Sequence, residues 1–171
     1  MLAGETAVGL FPVKTVETLD AVIREAERIG PVHTGSVASE AMAQVIDVPR
    51  TPHAQALCEA AVTLADRSRA FAIVAITRQG NSVRVLSALR PKTPIFAATE
   101  TEIIARQLTI YRGVVPLITG IGKDVDTSGA LLKEELRTRG LVPHGSVVVF
   151  VSANARLERA DQNFVNVQKF E

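Results

Sequence analysis

The six residues Thr77-Arg78-Gln79-Gly80-Asn81-Ser82 bring together two hydroxyls, a guanidinium, two side-chain amides and a glycine. That mixture suits a phosphate. Hydroxyls and backbone N–H groups donate to its oxygens, the arginine supplies charge, and the glycine lets the backbone approach closely. The same residues also suit a purely local task, because Asn81 or Ser82 would serve as the N-cap of a following helix. On spacing alone both readings stand. A second candidate is the segment ANARLERADQN, residues 153–163. Its Arg156 and Arg159 could close over an anion, or belong to a solvated charged hairpin.

Other chemistry-bearing residues are scattered. Thr119-Gly120-Ile121-Gly122-Lys123-Asp124 imitates a phosphate-cradling P-loop, but Leu117 occupies the required glycine position and Asp124 follows the lysine where Ser or Thr is needed. It reads as a connector into the next helix. His33, His53 and His144 show no metal-ligand spacing and read as solvated or capping residues. Asp124 and Asp126 fall at a helix start, where negative charge is stabilising by itself. No serine lies in a Gly-x-Ser-x-Gly elbow. The single cysteine, Cys58, sits in an alanine-rich helix without a basic neighbourhood and reads as a small buried residue. These residues supply no catalytic set and no metal site.

The background composition is ordinary for a globular chain. Of 171 residues, 47% are hydrophobic and 22% charged, enough for one substantial core and too apolar for disorder. A formal charge of +1 gives no basic field for nucleic acid. One cysteine excludes an intrachain disulfide framework. Apolar runs are strand-length, so no membrane span is expected. The first residues, MLAGETAVG, lack a basic n-region, and the expected location is the cytoplasm.

The elements that must position the Thr77 loop follow from periodicity. Residues 1–11 carry no helical stripe. From Pro12 the apolar residues Val13, Val16, Leu19, Val22, Ile23 and Ala26 recur at helical spacing until Gly30-Pro31. A connector with a short helix near 39–46 leads to a second, alanine-rich helix over 52–68. Strands and helices then alternate: strands at 71–77, 94–99, 114–119, 146–152 and 164–170, helices at 80–88, 100–109 and 124–139. Such alternation predicts a parallel sheet with helices on both faces. Pro116 places the third strand at an edge. The last two strands are joined by a polar link with no helix, so the fifth should run antiparallel.

Beyond these patterns, MLAGETAVGLFPVKTVETLDAVIREAE resembles the segment by which pyruvate kinases leave the catalytic barrel and enter their C-terminal domain. The match is carried by Met1-Leu2-x-Gly4-Glu5-Thr6-Ala7-x-Gly9-x-x-Pro12-x-x-x-Val16. Further blocks resemble the family in the same order: residues 76–100, 105–118, 123–126, and the stretch running from Gly140 and Gly145 through VVVFVSA. The resemblance implies an α/β, three-layer domain with a five-stranded, mostly parallel sheet of order 3-2-1-4-5, the last strand antiparallel. It implies that residues 1–11 are a remnant of the barrel exit and 12–171 one domain. In the family the barrel supplies the catalytic lysine and the sites for Mg and K. The chain alone is therefore expected to carry no catalytic residue, metal or cofactor, and not to transfer phosphoryl groups unless joined to a barrel domain or subunit. Only Glu5 and Thr6 would border a substrate site, and Ala3 stands where the family usually has a hydroxyl.

The C-terminal domain of these enzymes is the allosteric one, and its phosphate-binding loop matches Thr77, Arg78, Gln79, Gly80 and Ser82, with Asn81 between them. The departures are specific. Gln79 replaces a Ser or Thr, Ile121 and Ser128 stand where bisphosphate-regulated members carry Trp and Arg, and ANARLERADQN replaces a glycine-rich loop. The resemblance therefore favours a monophosphate effector, a sugar phosphate or AMP, over a sugar bisphosphate. It implies a homo-oligomer, a dimer or more, formed through the edge strand at 164–170, where Phe164, Val165, Val167 and Phe170 lie. Two other expectations stand beside this regulatory module: a subunit or fragment of a pyruvate kinase active with a barrel partner, and an independent enzyme or small-molecule-binding protein.

Overall fold

The structure, a computed structural model, describes residues 4–28, 51–121, 125–154 and 163–170. The chain divides into two compact units, Met1–Val45 and Ile46–Glu171.

In the first unit a short helix, α1 (Gly4–Ala7), falls where no helical stripe was expected. A single turn needs no stripe: the Val8 N–H closes it on the Gly4 carbonyl at 2.8 Å. It is followed by α2 (Pro12–Arg28), with proline at its first position, where a missing N–H has no consequence. Exposed pairs one turn apart, such as Arg24–Asp20 at 2.7 Å, line its polar side. The short helix expected near 39–46 lies outside the described residues.

The second unit opens with α3 (Pro52–Ser68), whose bounds agree with the sequence reading. It is followed by β1 (Ala72–Ile76), α4 (Asn81–Ala88), β2 (Ile95–Thr99), α5 (Glu102–Leu108), β3 (Val114–Ile118), α6 (Val125–Thr138), β4 (Val147–Ser152) and β5 (Phe164–Lys169). The sheet order is β3-β2-β1-β4-β5; every pairing is parallel except β4 with β5. α5 is shorter than its sequence pattern, because Thr101 is extended at φ −110° and ψ 130° and the helix starts after it.

Alternation splits the core in two. Ile73, Ala75, Ile95, Ala97, Val149 and Val151 face one side, with α3, α4 and α5 above them. Ala72, Val74, Phe96, Ala98, Val148 and Phe150 face the other, with Leu132 and Leu136 of α6. The result is three layers. α3 approaches the sheet through Cys58, Ala61 and Ala65, small residues at helical spacing and all buried. β1 and β2 are buried at every position, as their continuous apolar runs require; β3 and β5, the edges, are not.

One expectation about β5 changes. Its apolar residues were read as an association surface, yet Phe170 is buried in the core beside α6, and Phe164 and Val165 pack onto opposite core clusters. Antiparallel pairing with β4 turns alternate residues of β5 to opposite faces, and both faces adjoin the core. Val167, 38% exposed, remains on the outside.

Candidate functional site

In parallel sheets, loops leaving the carboxyl ends of strands are where ligands sit. Thr77 directly follows β1. Its N–H continues the ladder to the Ala98 carbonyl at 2.9 Å, and its side chain is buried. The Thr77 Oγ1 accepts the Gly80 N–H at 2.8 Å, so this hydroxyl first shapes the turn, and its own proton remains available for an acceptor. Gly80 sits at φ +81°, in the left-handed region, and caps α4. A Cβ there would also stand 3.1 Å from Leu108 Cδ2 of α5. Conformation and space both call for glycine.

Asn81 and Ser82 are the first two residues of α4, and the N-cap is Gly80, with no side-chain cap bond. The local capping role open to them in the sequence is thus not the one they fill; the bond from Gly80 to Thr77 has moved the cap upstream. Arg78 and Gln79 are exposed and Asn81 is half-buried. Ser82 is 5% exposed, and its Oγ has no hydrogen-bond partner among the described residues. A buried hydroxyl left so is costly, by roughly 1–3 kcal/mol, unless something satisfies it.

Sequence reasoning missed Thr99. It ends β2, is fully buried, and its Oγ1 also lacks a partner among the described residues. The β1–β2 register, Ile76 against Ala98, carries forward to set Thr99 opposite Thr77, on the face covered by α3, α4 and α5. Only strand pairing reveals this.

Cys58 of α3 lies against the same turn, its Sγ 3.7 Å from the Ser82 carbonyl, which accepts the thiol proton. Burial pushes the Cys58 thiol from its usual 9.0 up to about 12, with the neighbouring Glu59 charge adding to the rise. The thiol therefore packs and stays protonated rather than reacting, as its setting in the sequence foretold.

At the neighbouring strand exit the chain uses different means. Ser152 of β4 pairs with Ile76 of β1. Two residues on, the Asn154 N–H donates to Asn163 Oδ1 at 2.7 Å, and the Asn154 carbonyl lies 2.8 Å from His53 Nε2. His53, read from sequence as a solvated or capping residue, is half-buried there, with Thr51 Oγ1 3.2 Å away. Arg156, Arg159, His33 and the side chain of Ser128 lie outside the described residues. His144 is exposed. The Ile121 N–H reaches Glu100 Oε1 at 3.3 Å, an ordinary loop contact. Among the described residues no three of His, Cys, Asp and Glu stand together as metal ligands, and no helix is long and apolar enough to cross a membrane.

A five-stranded sheet of this order, covered by helices on both faces and with a hydroxyl-glycine turn after β1, defines a three-layer α/β domain rather than a barrel. The comparisons name the family. The model for "Pyruvate kinase, alpha/beta domain" matches residues 55–168. A pyruvate kinase of Thermoplasma acidophilum is 33% identical over 98% of this chain and 29% of its own length. The human pyruvate kinase PKLR is 33% identical over 89% of this chain and 27% of its own. Chloroplastic isozyme G of Ricinus communis is 30% identical over 91% of this chain and 35% of its own. A crystal structure of Cryptosporidium parvum pyruvate kinase superposes with a TM-score of 0.65 at 26% identity, covering 100% of this chain and 32% of that one. The chain belongs to the pyruvate kinase family and corresponds to its α/β domain. It spans about a third or less of the length of these relatives.

Proposed function

We propose that this chain is the regulatory and oligomerisation domain of a pyruvate kinase, binding a phosphate monoester at the Thr77–Ser82 turn. Phosphoryl transfer between phosphoenolpyruvate and ADP depends on a barrel domain or subunit, which would also hold Mg and K. The observation that carries the effector reading is the buried Ser82 hydroxyl, without a partner among the described residues, set at the start of a helix beside the exposed Arg78. Backbone N–H groups at the start of α4, the Thr77 hydroxyl proton and the Arg78 charge complete a donor set that has no acidic side chain within it. A monophosphate fits a turn with one arginine better than a bisphosphate does. Association uses the exposed edge of β5, whose unpaired backbone groups and Val167 invite a two-fold partner strand. The cytoplasm is the compartment proposed.

Titration calorimetry of the purified chain with AMP, glucose 6-phosphate, fructose 1,6-bisphosphate and inorganic phosphate tests the reading. A monophosphate should bind, and Arg78→Ala should weaken it about tenfold, the equivalent of one charge-assisted hydrogen bond. Silence from all four ligands would refute the effector role. Turnover of phosphoenolpyruvate and ADP by the chain alone would refute the division of labour.

A further inference from the structure

We propose that His53 is a positioning residue that pins the loop end of the β4–β5 edge hairpin to α3. His53 is the second residue of α3, 101 positions before the carbonyl it meets. A carbonyl oxygen only accepts, so at 2.8 Å the Nε2 of His53 must carry the hydrogen, which fixes the Nε2–H form of the ring. The other backbone group of Asn154 is taken as well, its N–H by Asn163 Oδ1 at 2.7 Å. Asn163 immediately precedes β5, and Asn154 lies two residues past β4. One peptide segment therefore ties three elements together: a helix before the sheet, the exit of β4 and the entry of β5.

The location gives the contact its purpose. The β4–β5 ladder ends at Ser152 opposite Phe164. Its far end is secured by two backbone bonds, Gly145 N–H to Phe170 O at 2.6 Å and Phe170 N–H to Ser146 O at 2.8 Å. The near end has side chains where the next rungs would be. Among the described residues β5 has β4 as its only strand neighbour, and a one-residue slip would turn Phe164 and Phe170 out of one core cluster and Val165 out of the other. A bond from α3, which is itself seated on the sheet by Cys58, Ala61 and Ala65, holds that end from outside the hairpin. This role is independent of whether any phosphate binds at the turn after β1.

The test is amide hydrogen exchange on the full chain by NMR. His53→Ala should raise exchange of the Asn154 amide about tenfold, the value of one net hydrogen bond. The Ile73 amide, bonded to the Pro94 carbonyl in the centre of the sheet, should keep its protection. His53→Gln should restore the Asn154 amide, because a glutamine side-chain nitrogen reaches about where Nε2 stands. In the unmutated chain, nitrogen shifts of the imidazole should report the Nε2–H form whenever the ring is neutral, a readout that needs no variant to fold. An Nδ1–H ring, an Asn154 amide indifferent to His53→Ala, no rescue by glutamine, or an equal rise at Ile73 would each overturn the proposal.

Discussion

β1 and β4 lie side by side and run parallel, yet the chain leaves them in opposite ways. After β1 the turn is closed from within, by Thr77 accepting the N–H of a glycine three residues later. After β4 the exit is held from a distance, by Asn163 nine residues on and His53 101 residues back. The first solution leaves a compact turn with a buried hydroxyl to spare. The second uses both backbone groups of Asn154 to hold an edge. Local closure leaves the other side chains of the turn uncommitted, whereas long-range closure commits side chains to the fold.

The sharpest way to break the first exit is Gly80→Val. A β-branched residue at φ +81° is strained, and its Cβ would push on Leu108. The expected loss is about 3 kcal/mol in urea unfolding. A loss under about 0.5 kcal/mol would mean that the turn relaxes freely and is not built as described.

The next effect tests how tightly α3 seals that turn. The folded state favours the protonated Cys58 thiol, whose pKa is raised from 9.0 to about 12. That contribution is whole below the unfolded value and drains away as pH climbs from there toward the folded one. Between about pH 8.5 and about pH 10 the chain should lose about 1 kcal/mol that Cys58→Ala does not lose. Identical pH slopes for the two proteins would show that the thiol is accessible and the seal open.

The smallest effect is the most discriminating. Ser82→Ala removes a buried hydroxyl that has no partner among the described residues, so the unfolding free energy should not fall and should rise by up to about 1 kcal/mol. The same change should weaken monophosphate binding in calorimetry. A loss of stability with binding intact would turn Ser82 into a structural residue and leave the two exits alike in purpose.

Much of this was legible in the chain. FAIVAIT and SVVVFVS are continuous apolar runs and became the central strands; Pro116 marked an edge and β3 is one. The alanine-rich helix over 52–68 has the bounds its pattern gave. The turn after β1 announced itself through Thr77, Gly80 and Ser82 because its closure is local. What failed to show were roles set by distant partners. Thr99 looks like any strand-ending threonine until β2 lies beside β1. His53 looks like a solvated helix start until Asn154 arrives. Phe170 looks like an exposed tip of an alternating strand until α6 covers that face.

The amino-acid order thus settled most of the elements, because periodicity and turn chemistry act over a few residues, while the order of the strands was implied by the resemblance to pyruvate kinases. Which hydroxyls are stranded, which histidine holds the edge and which phenylalanine is core were decided by tertiary structure. Hydrogen bonds and burial depend on contact in space, and contacts a hundred positions apart leave no periodic trace in a single sequence.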